Sequence, residues 1–170
     1  MTINLFSFVD LYRRALDTTA HLLTKGADYA AAHEVSETEM LDWRLVDDMA
    51  PLRFQVMVVV NFSKQWTARV ADLPVPDDIG TELSLTEFQA AIVEAKQYLA
   101  ALTPEQFAGR DEVPLTVSIA SGAMEPTLPA GQWLTVFSTT NLHFHLSTAY
   151  GILRAHGVQI GKADLFASGL

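Results

Sequence analysis

The sequence of 170 residues contains no cysteine, which excludes disulfide bonds, thiolate catalysis and thiolate metal sites. It also lacks a cluster of lysine and arginine: the net charge is −9, and the acidic residues are spread along the chain. Since a nucleic-acid-binding surface needs such a basic cluster, we expect no nucleic-acid partner. The excess of acidic over basic residues mainly favours solubility of the protein.

Long apolar runs are missing as well. The longest uninterrupted run covers only residues 56–60, whereas a membrane-spanning helix needs about 18 or more apolar residues. The N-terminal stretch MTINLFSFVDLYRR has neither the basic segment nor the cleavage site of a signal peptide. We therefore expect a cytoplasmic protein without membrane contact. A chain of this length is most simply one domain, residues 1–170, that buries about two thirds of its unfolded surface.

The first half of the chain predicts two long helices and a short one. Helix one is predicted over residues 5–31, where an apolar stripe recurs at helical spacing. Either this helix bends or frays at Gly26, or it continues there at a cost of about 1 kcal/mol relative to alanine. A short helix is predicted from Glu37, because Ser36 and Glu39 have capping-box spacing.

Helix two is predicted from Pro51 to about Leu73, with Asp48 as a candidate cap and Pro51 in the first turn, which suits proline. Its segment LRFQVMVVVNFSKQW is apolar on nearly all sides. The β-branched residues also suit a strand, but the segment is too long for one strand and has no turn signal. An apolar helix of this kind is buried on more than one side, so we expect it to form part of a homodimer interface.

The second half predicts two helices separated by a β-hairpin. Helix three begins after Ser84, with Glu87 completing a capping box, and runs to about Ala101. The alternating segments EVPLTVSIA (112–120) and GQWLTVFS (131–138) are predicted to be paired strands. The last helix is predicted over residues 140–156 and ends at Gly157, since glycine is common after a helix.

The last helix carries three of the five histidines. At about 100° per residue, His143 lies about 200° from His145, on the opposite face. His156 is about 16 Å from His145 along the axis at 1.5 Å per residue, too far to share a metal ion at ligand distances of about 2 Å. Only His145 points into the predicted bundle. It is either a hydrogen-bonded core histidine, the more frequent case, or a ligand.

The other histidines are expected outside the pocket, at the surface or, for His143, at the surface or in packing. His156 lies in the last turn, where a cation meets the negative end of the helix dipole. His143 and His21 fall off the apolar faces of their helices, and His33 lies in a loop.

Two segments of the chain resemble a known family. NLHFHLSTAYGILRAHGVQIGKADL (141–165) resembles NFYFHxxTAYxILRxxGVxxGKxDF, the C-terminal signature of a bacterial subfamily of the DinB/YfiT-like superfamily. RLVDDMAPLRFQV (44–56) resembles the second marker of that subfamily, RLxPDMxPLxxQV. The two matches stand in the right order, nearly a hundred residues apart, so the resemblance covers the whole chain. Departures are small: Leu142 and His143 replace aromatic residues, and Leu165 replaces phenylalanine.

The resemblance implies an all-α fold, a four-helix bundle with a small β-hairpin inserted between helices three and four. Many members of the superfamily bind a divalent metal through three histidines, one on helix two and two on helix four. Several are thiol-dependent transferases or isomerases that use the metal to activate a small thiol. Carried onto this sequence, the three metal positions become Gln55, Asn141 and His145.

This substitution of ligands implies a degenerate metal centre. Neutral amide oxygens bind zinc or nickel poorly, so we expect a polar pocket of Gln55, Asn141 and His145 without a tightly bound transition metal. A carboxylate, Asp47 or Asp48, would rescue metal binding if it folded over the pocket.

Three functions remain open from the sequence. The first is a small-molecule-binding module that uses this pocket. The second is a metal-dependent or histidine-assisted enzyme of the thiol transferase or isomerase type, with His145 as the best catalytic candidate. The third is a dimeric structural or interaction protein.

Overall fold

Helices make up most of the chain in the computed structural model, which describes residues 4–119, 122–167 and 169. In chain order they are α1 (Ser7–Ala32), α2 (Glu37–Asp42), α3 (Leu52–Ala71), α4 (Leu85–Ala100), α5 (Ala130–Gln132) and α6 (Thr139–Ala155). Short 3-10 turns lie at Pro104–Phe107 and Lys162–Phe166, and a π-helical segment, Trp133–Ser138, joins α5 to α6. Strands β1 (Pro114–Thr116) and β2 (Thr127–Pro129) form an antiparallel hairpin. The predicted mostly helical fold with a small hairpin is thereby confirmed.

Local capping signals set the starts of two helices as predicted. The Ser36 side chain accepts a hydrogen bond from the Glu39 N–H at the start of α2. Ser84 and Glu87 form the complete capping box of α4. The predicted cap of α3 is wrong: Pro51 occupies the N-cap position and Asp48 is exposed in the preceding loop. Pro51 suffices there because its backbone is extended and its carbonyl starts the helical hydrogen bonds.

Helix α3 lies at the centre of the fold and contacts α1, α4 and α6. Most of its residues are buried, including Val56, Val59 and Val60. The apolar circumference that led us to expect a dimer is therefore covered within one chain, and the homodimer stays a prediction. Among the described residues, no helix is both long and apolar enough to cross a membrane.

Helix α1 runs without interruption through Gly26, which is buried. A β-carbon at this position would lie 2.9 Å from both Leu153 Cδ2 and Met40 Sδ. Close approach to α6 and α2 therefore explains the glycine, and of the two alternatives left open by the sequence, the continuous helix is the one observed.

The segment 131–138 is helical, so the prediction that it forms the second strand is wrong. Strand β1 pairs instead with β2, where Leu115 lies opposite Leu128. Trp133 is buried and its ring stacks on Trp66 at a centroid distance of 5.1 Å. Phe137, one helical turn later, packs at 5.1 Å from both tryptophans. These contacts with α3 favour a helix over the strand that the alternating pattern predicts. The pattern is also compatible with a helix, because residues 133 and 137 are about one helical turn apart. Strand β1 is also shorter than the predicted 112–120, of which residue 120 lies outside the described part of the chain.

Candidate functional site

A hydrogen bond between His145 and Gln55 joins α6 to α3, at the place where the sequence predicts a pocket. His145 Nδ1 and Gln55 Oε1 are 2.7 Å apart. Gln55 is buried, and its amide nitrogen donates to the Ala50 carbonyl at 2.8 Å. The two predicted residues are thus in direct contact, although they are 90 positions apart in the chain.

The Ala50 carbonyl determines which nitrogen of His145 carries the proton. A carbonyl oxygen can only accept, so the amide group of Gln55 must present its nitrogen to Ala50 and its oxygen to His145. The amide oxygen in turn can only accept, so His145 Nδ1 must donate. In the neutral imidazole, Nε2 then carries a lone pair and can accept a hydrogen bond or a proton.

The surroundings of His145 favour this neutral form. Its ring meets Phe54 edge to face at 5.9 Å and Phe144 at 5.2 Å. Burial among these groups lowers the pKa of His145 below the usual 6.5. Phe144 is itself 57% exposed, so the aromatic group on this side of α6 borders solvent.

Asn141 does not join the pair through a hydrogen bond among the described residues. It lies one turn before His145 on α6, as predicted, but its amide nitrogen donates to the Phe137 carbonyl at 2.7 Å. Phe137 belongs to the π-helical segment, whose altered hydrogen-bond register displaces backbone acceptors. Asn141 therefore supports the backbone of α6, and the compact site consists of Gln55 and His145.

The donor set does not fit the metal that the family resemblance implies. Gln55 Oε1 is occupied by the His145 N–H, and Asn141 is bonded to its own helix. One imidazole nitrogen and the neutral amide oxygen of Asn141 remain, whereas zinc sites use three or four strong ligands, and amide oxygens are weak ones. Asp47 and Asp48 are both exposed. Within the described ranges, no three His, Asp or Glu side chains converge on a point that could hold a metal ion.

The other histidines have separate roles. His156 stacks on Trp43 at 4.3 Å, and His33 stacks on Tyr29 at 3.9 Å. His21, expected at the surface, is only partly exposed and contacts Asp164 of the last 3-10 turn at 2.7 Å. The sequence carried no signal for this last contact, because it joins residues 143 positions apart.

Sequence reasoning also missed Phe54, Phe144 and the Ala50 carbonyl as parts of the site. Phe54 precedes Gln55 and Phe144 precedes His145 in the chain. Their adjacency to the two predicted residues was the available signal, but their orientation depends on how α3 and α6 pack.

Comparisons with known proteins agree with the fold. A family model described as a domain of unknown function (DUF1993) matches residues 6–166. The crystal structure of a DinB family member from Shewanella denitrificans is similar, with a TM-score of 0.78 and 27% sequence identity. That match covers 92% of this chain and 88% of the other. No curated protein matches the sequence. The expected DinB-like domain is confirmed, whereas the C-terminal signature pattern stays a prediction.

Proposed function

Because the chain belongs to the DUF1993 family of DinB-like domains, we propose from the His145 geometry that it is a small-molecule-binding module of the four-helix-bundle type. This proposal rests on two successive hydrogen bonds: Gln55 donates to the Ala50 carbonyl, and His145 donates to Gln55. It holds a neutral imidazole in one orientation, with Nε2 as a hydrogen-bond acceptor. A buried amide has to satisfy its own polar groups, and here that requirement also orients the histidine.

The chemistry around Nε2 indicates the class of ligand. Nε2 accepts a hydrogen bond, so the ligand supplies an N–H or O–H donor. Phe54 and Phe144 offer ring surfaces beside it, which favours a planar or aromatic body. The degenerate metal site of the sequence prediction is, in this proposal, a metal-free recognition site in which Gln55 positions His145.

Ligand-detected and protein-detected NMR with 4-methylphenol and indole as probes tests the proposal. We expect saturable shifts of the His145 ring protons and of the Phe54 and Phe144 rings. The shifts of the Phe54 and Phe144 rings should disappear in His145→Phe, which keeps a ring at position 145 but removes the acceptor. The matched control is His143→Phe, two positions away on the opposite side of α6, which should bind as the wild type does. Equal binding by His145→Phe and wild type contradicts the proposal.

The same pair supports a second candidate, a histidine-assisted thiol transferase. A general base works best when a partner orients it, and Gln55 is such a partner for His145. In this reaction Nε2 takes the thiol proton while sulfur attacks an electrophilic carbon and displaces its leaving group. The test is the reaction of a small thiol with 1-chloro-2,4-dinitrobenzene. Acceleration that falls by tenfold or more in His145→Gln, with binding of the phenol probe retained, favours the enzyme over the binding module.

A further inference from the structure

A separate cavity of about 470 Å³ lies between α1, α6 and the C-terminal 3-10 turn. His143 lines it, whereas His145 projects from the opposite side of α6 and does not. The volume is within the usual range of about 300–1,000 Å³ for small-molecule sites. The cavity is therefore large enough for a ligand and independent of the Gln55–His145 pair.

The walls of this cavity are mainly apolar. Leu11 and Ala15 come from α1, Leu146 from α6, and Leu165 and Phe166 from the C-terminal turn. Phe166 is 49% exposed although it faces an apolar space. A ligand with an apolar body would remove that aromatic surface from water, which is favourable.

Four polar side chains line the same cavity: Arg14, Thr18, His143 and Ser147. Arg14 has five N–H donors, and its hydrogen bonds among the described residues, to Asp10 and to the Gly169 carbonyl, use two of them. The ion pair with Asp10 lies at the surface, with side-chain exposures of 43% and 62%. Such exposed pairs are weak, so the guanidinium can also bind an acceptor on a ligand.

His143 and Ser147 stand one helical turn apart on α6. His143 Nδ1 donates to the Thr139 carbonyl at 2.9 Å, which leaves Nε2 for another partner. Ser147 is exposed and lines the cavity. Arg14 from α1 and Ser147 from α6 thus both offer donors to the cavity, and a carboxylate is the ligand group that a guanidinium and a hydroxyl bind best.

Two contacts hold the C-terminal turn, which forms one wall of the cavity, against α1. Asp164 contacts His21, and the Leu165 carbonyl accepts from Thr18 at 3.2 Å. Asp164 also accepts from the Gly161 N–H and so closes the turn on itself. The cavity wall is therefore held by several contacts that a ligand does not have to form.

We propose that this cavity binds a small amphipathic monocarboxylate, with its apolar body between Leu146 and Phe166 and its carboxylate at Arg14 and Ser147. This site is additional to the one at His145 and does not depend on it.

Calorimetry and amide NMR with decanoate and decanol as probes test this inference. Wild type should bind decanoate saturably, with shifts at residues of α1, α6 and the C-terminal turn, and should bind it more tightly than decanol. Arg14→Gln should reduce decanoate affinity at least fivefold and leave decanol affinity unchanged. Ser147→Trp, which fills the cavity from an exposed position, should reduce both affinities at least tenfold.

Two controls separate this result from a loss of folding and from the His145 site. Ala155→Trp introduces the same side chain at another exposed position of α6 and should bind both probes as wild type does. His145→Phe should also bind decanoate normally. The inference is overturned if decanoate causes no saturable shifts at the cavity, or if Ser147→Trp and Ala155→Trp bind it equally.

Discussion

His145 on α6 donates its Nδ1 proton to Gln55 on α3, and the two atoms lie 2.7 Å apart. This single contact fixes the imidazole tautomer and links the two helices that carry the family's predicted site. It also makes Gln55 a positioning residue, since its amide oxygen is directed at the histidine and its nitrogen at Ala50.

The first prediction concerns the charge of His145. Burial lowers its pKa in the wild type. Gln55→Glu places a carboxylate at hydrogen-bond distance, so we expect the pKa of His145 to rise, because the negative charge favours the protonated imidazole. Titration of the His145 ring protons by NMR measures it. Gln97→Glu, at an exposed position of α4, makes the same change in charge and should leave the pKa unaltered.

The second prediction follows from the direction of the same pKa shift. The folded pKa of His145 lies below its unfolded value of about 6.5, so the unfolded chain binds more protons between the two values. The contribution to stability is complete above pH 6.5 and is lost as the pH falls through that value toward the folded pKa. Urea unfolding from pH 5 to 8 should show this loss in wild type and a smaller one in His145→Gln. If the free energy of unfolding depends on pH identically in the two proteins, the loss of stability does not come from His145.

The third prediction concerns two buried tyrosine hydroxyls. The Tyr12 hydroxyl donates to Ser138 Oγ at 2.8 Å and also lies 3.0 Å from Thr139 Oγ1 and 3.2 Å from the Leu134 carbonyl of the π-helical segment. Its burial raises the pKa to about 12. Tyr12→Phe leaves those groups short of a partner, so we expect a loss of about 1–3 kcal/mol in the free energy of unfolding.

Tyr98→Phe is the matched control. The Tyr98 hydroxyl is buried without a hydrogen-bond partner among the described residues. Removing this hydroxyl should leave the free energy of unfolding unchanged or increase it, because no hydrogen bond is lost. Chemical denaturation of both variants makes the comparison, and a larger loss for Tyr98→Phe than for Tyr12→Phe would contradict it.

The fourth prediction compares two glycines near the C-terminus. Gly157 has a φ of +97°, and a β-carbon there would lie 2.6 Å from the Tyr29 hydroxyl. Gly157→Ala should therefore cost about 1–3 kcal/mol. Gly161 has a φ of −141°, and a β-carbon at that position would meet no atom within 4 Å, so Gly161→Ala should be tolerated. Thermal unfolding distinguishes the two, and equal melting temperatures would be the contrary result.

The fifth prediction concerns the missing metal ligands. Gln55→His combined with Asn141→His provides three imidazoles with His145, so we expect this variant to bind one equivalent of zinc. Wild type, purified without a histidine tag, should retain less than one equivalent. Adding His145→Gln to the double variant should abolish the binding. Metal analysis after dialysis measures all three, and stoichiometric zinc on the wild type would refute the reasoning.

Several elements could be predicted because their signals are local. The capping residues Ser36 and Ser84 lie within three positions of the groups they bond, so the starts of α2 and α4 are readable from sequence. Gly157 ends α6 for a similar reason, since few other residues adopt its backbone conformation. His145 was singled out by helical geometry, whereas Gln55 was found only through the family resemblance, because its contact with His145 joins distant segments.

Tertiary contacts determined the parts of the fold and of the site that could not be predicted from the sequence. Residues 131–138 read as a strand by their alternation, but packing of Trp133 on Trp66 and the bond from Tyr12 to the Leu134 carbonyl favour a helix. Asn141 shares a helix face with His145, yet the π-helical segment before it offers a nearer acceptor, the Phe137 carbonyl. Sequence by itself determined the elements whose energies depend on neighbours a few residues apart. Contacts of α1 and α3 with the π-helical segment decided the strand pairing, and the π-helical segment set the hydrogen bond of Asn141. Packing of the C-terminal turn beside α1 and α6 formed the cavity at Phe166. These features depend on groups that only folding brings together.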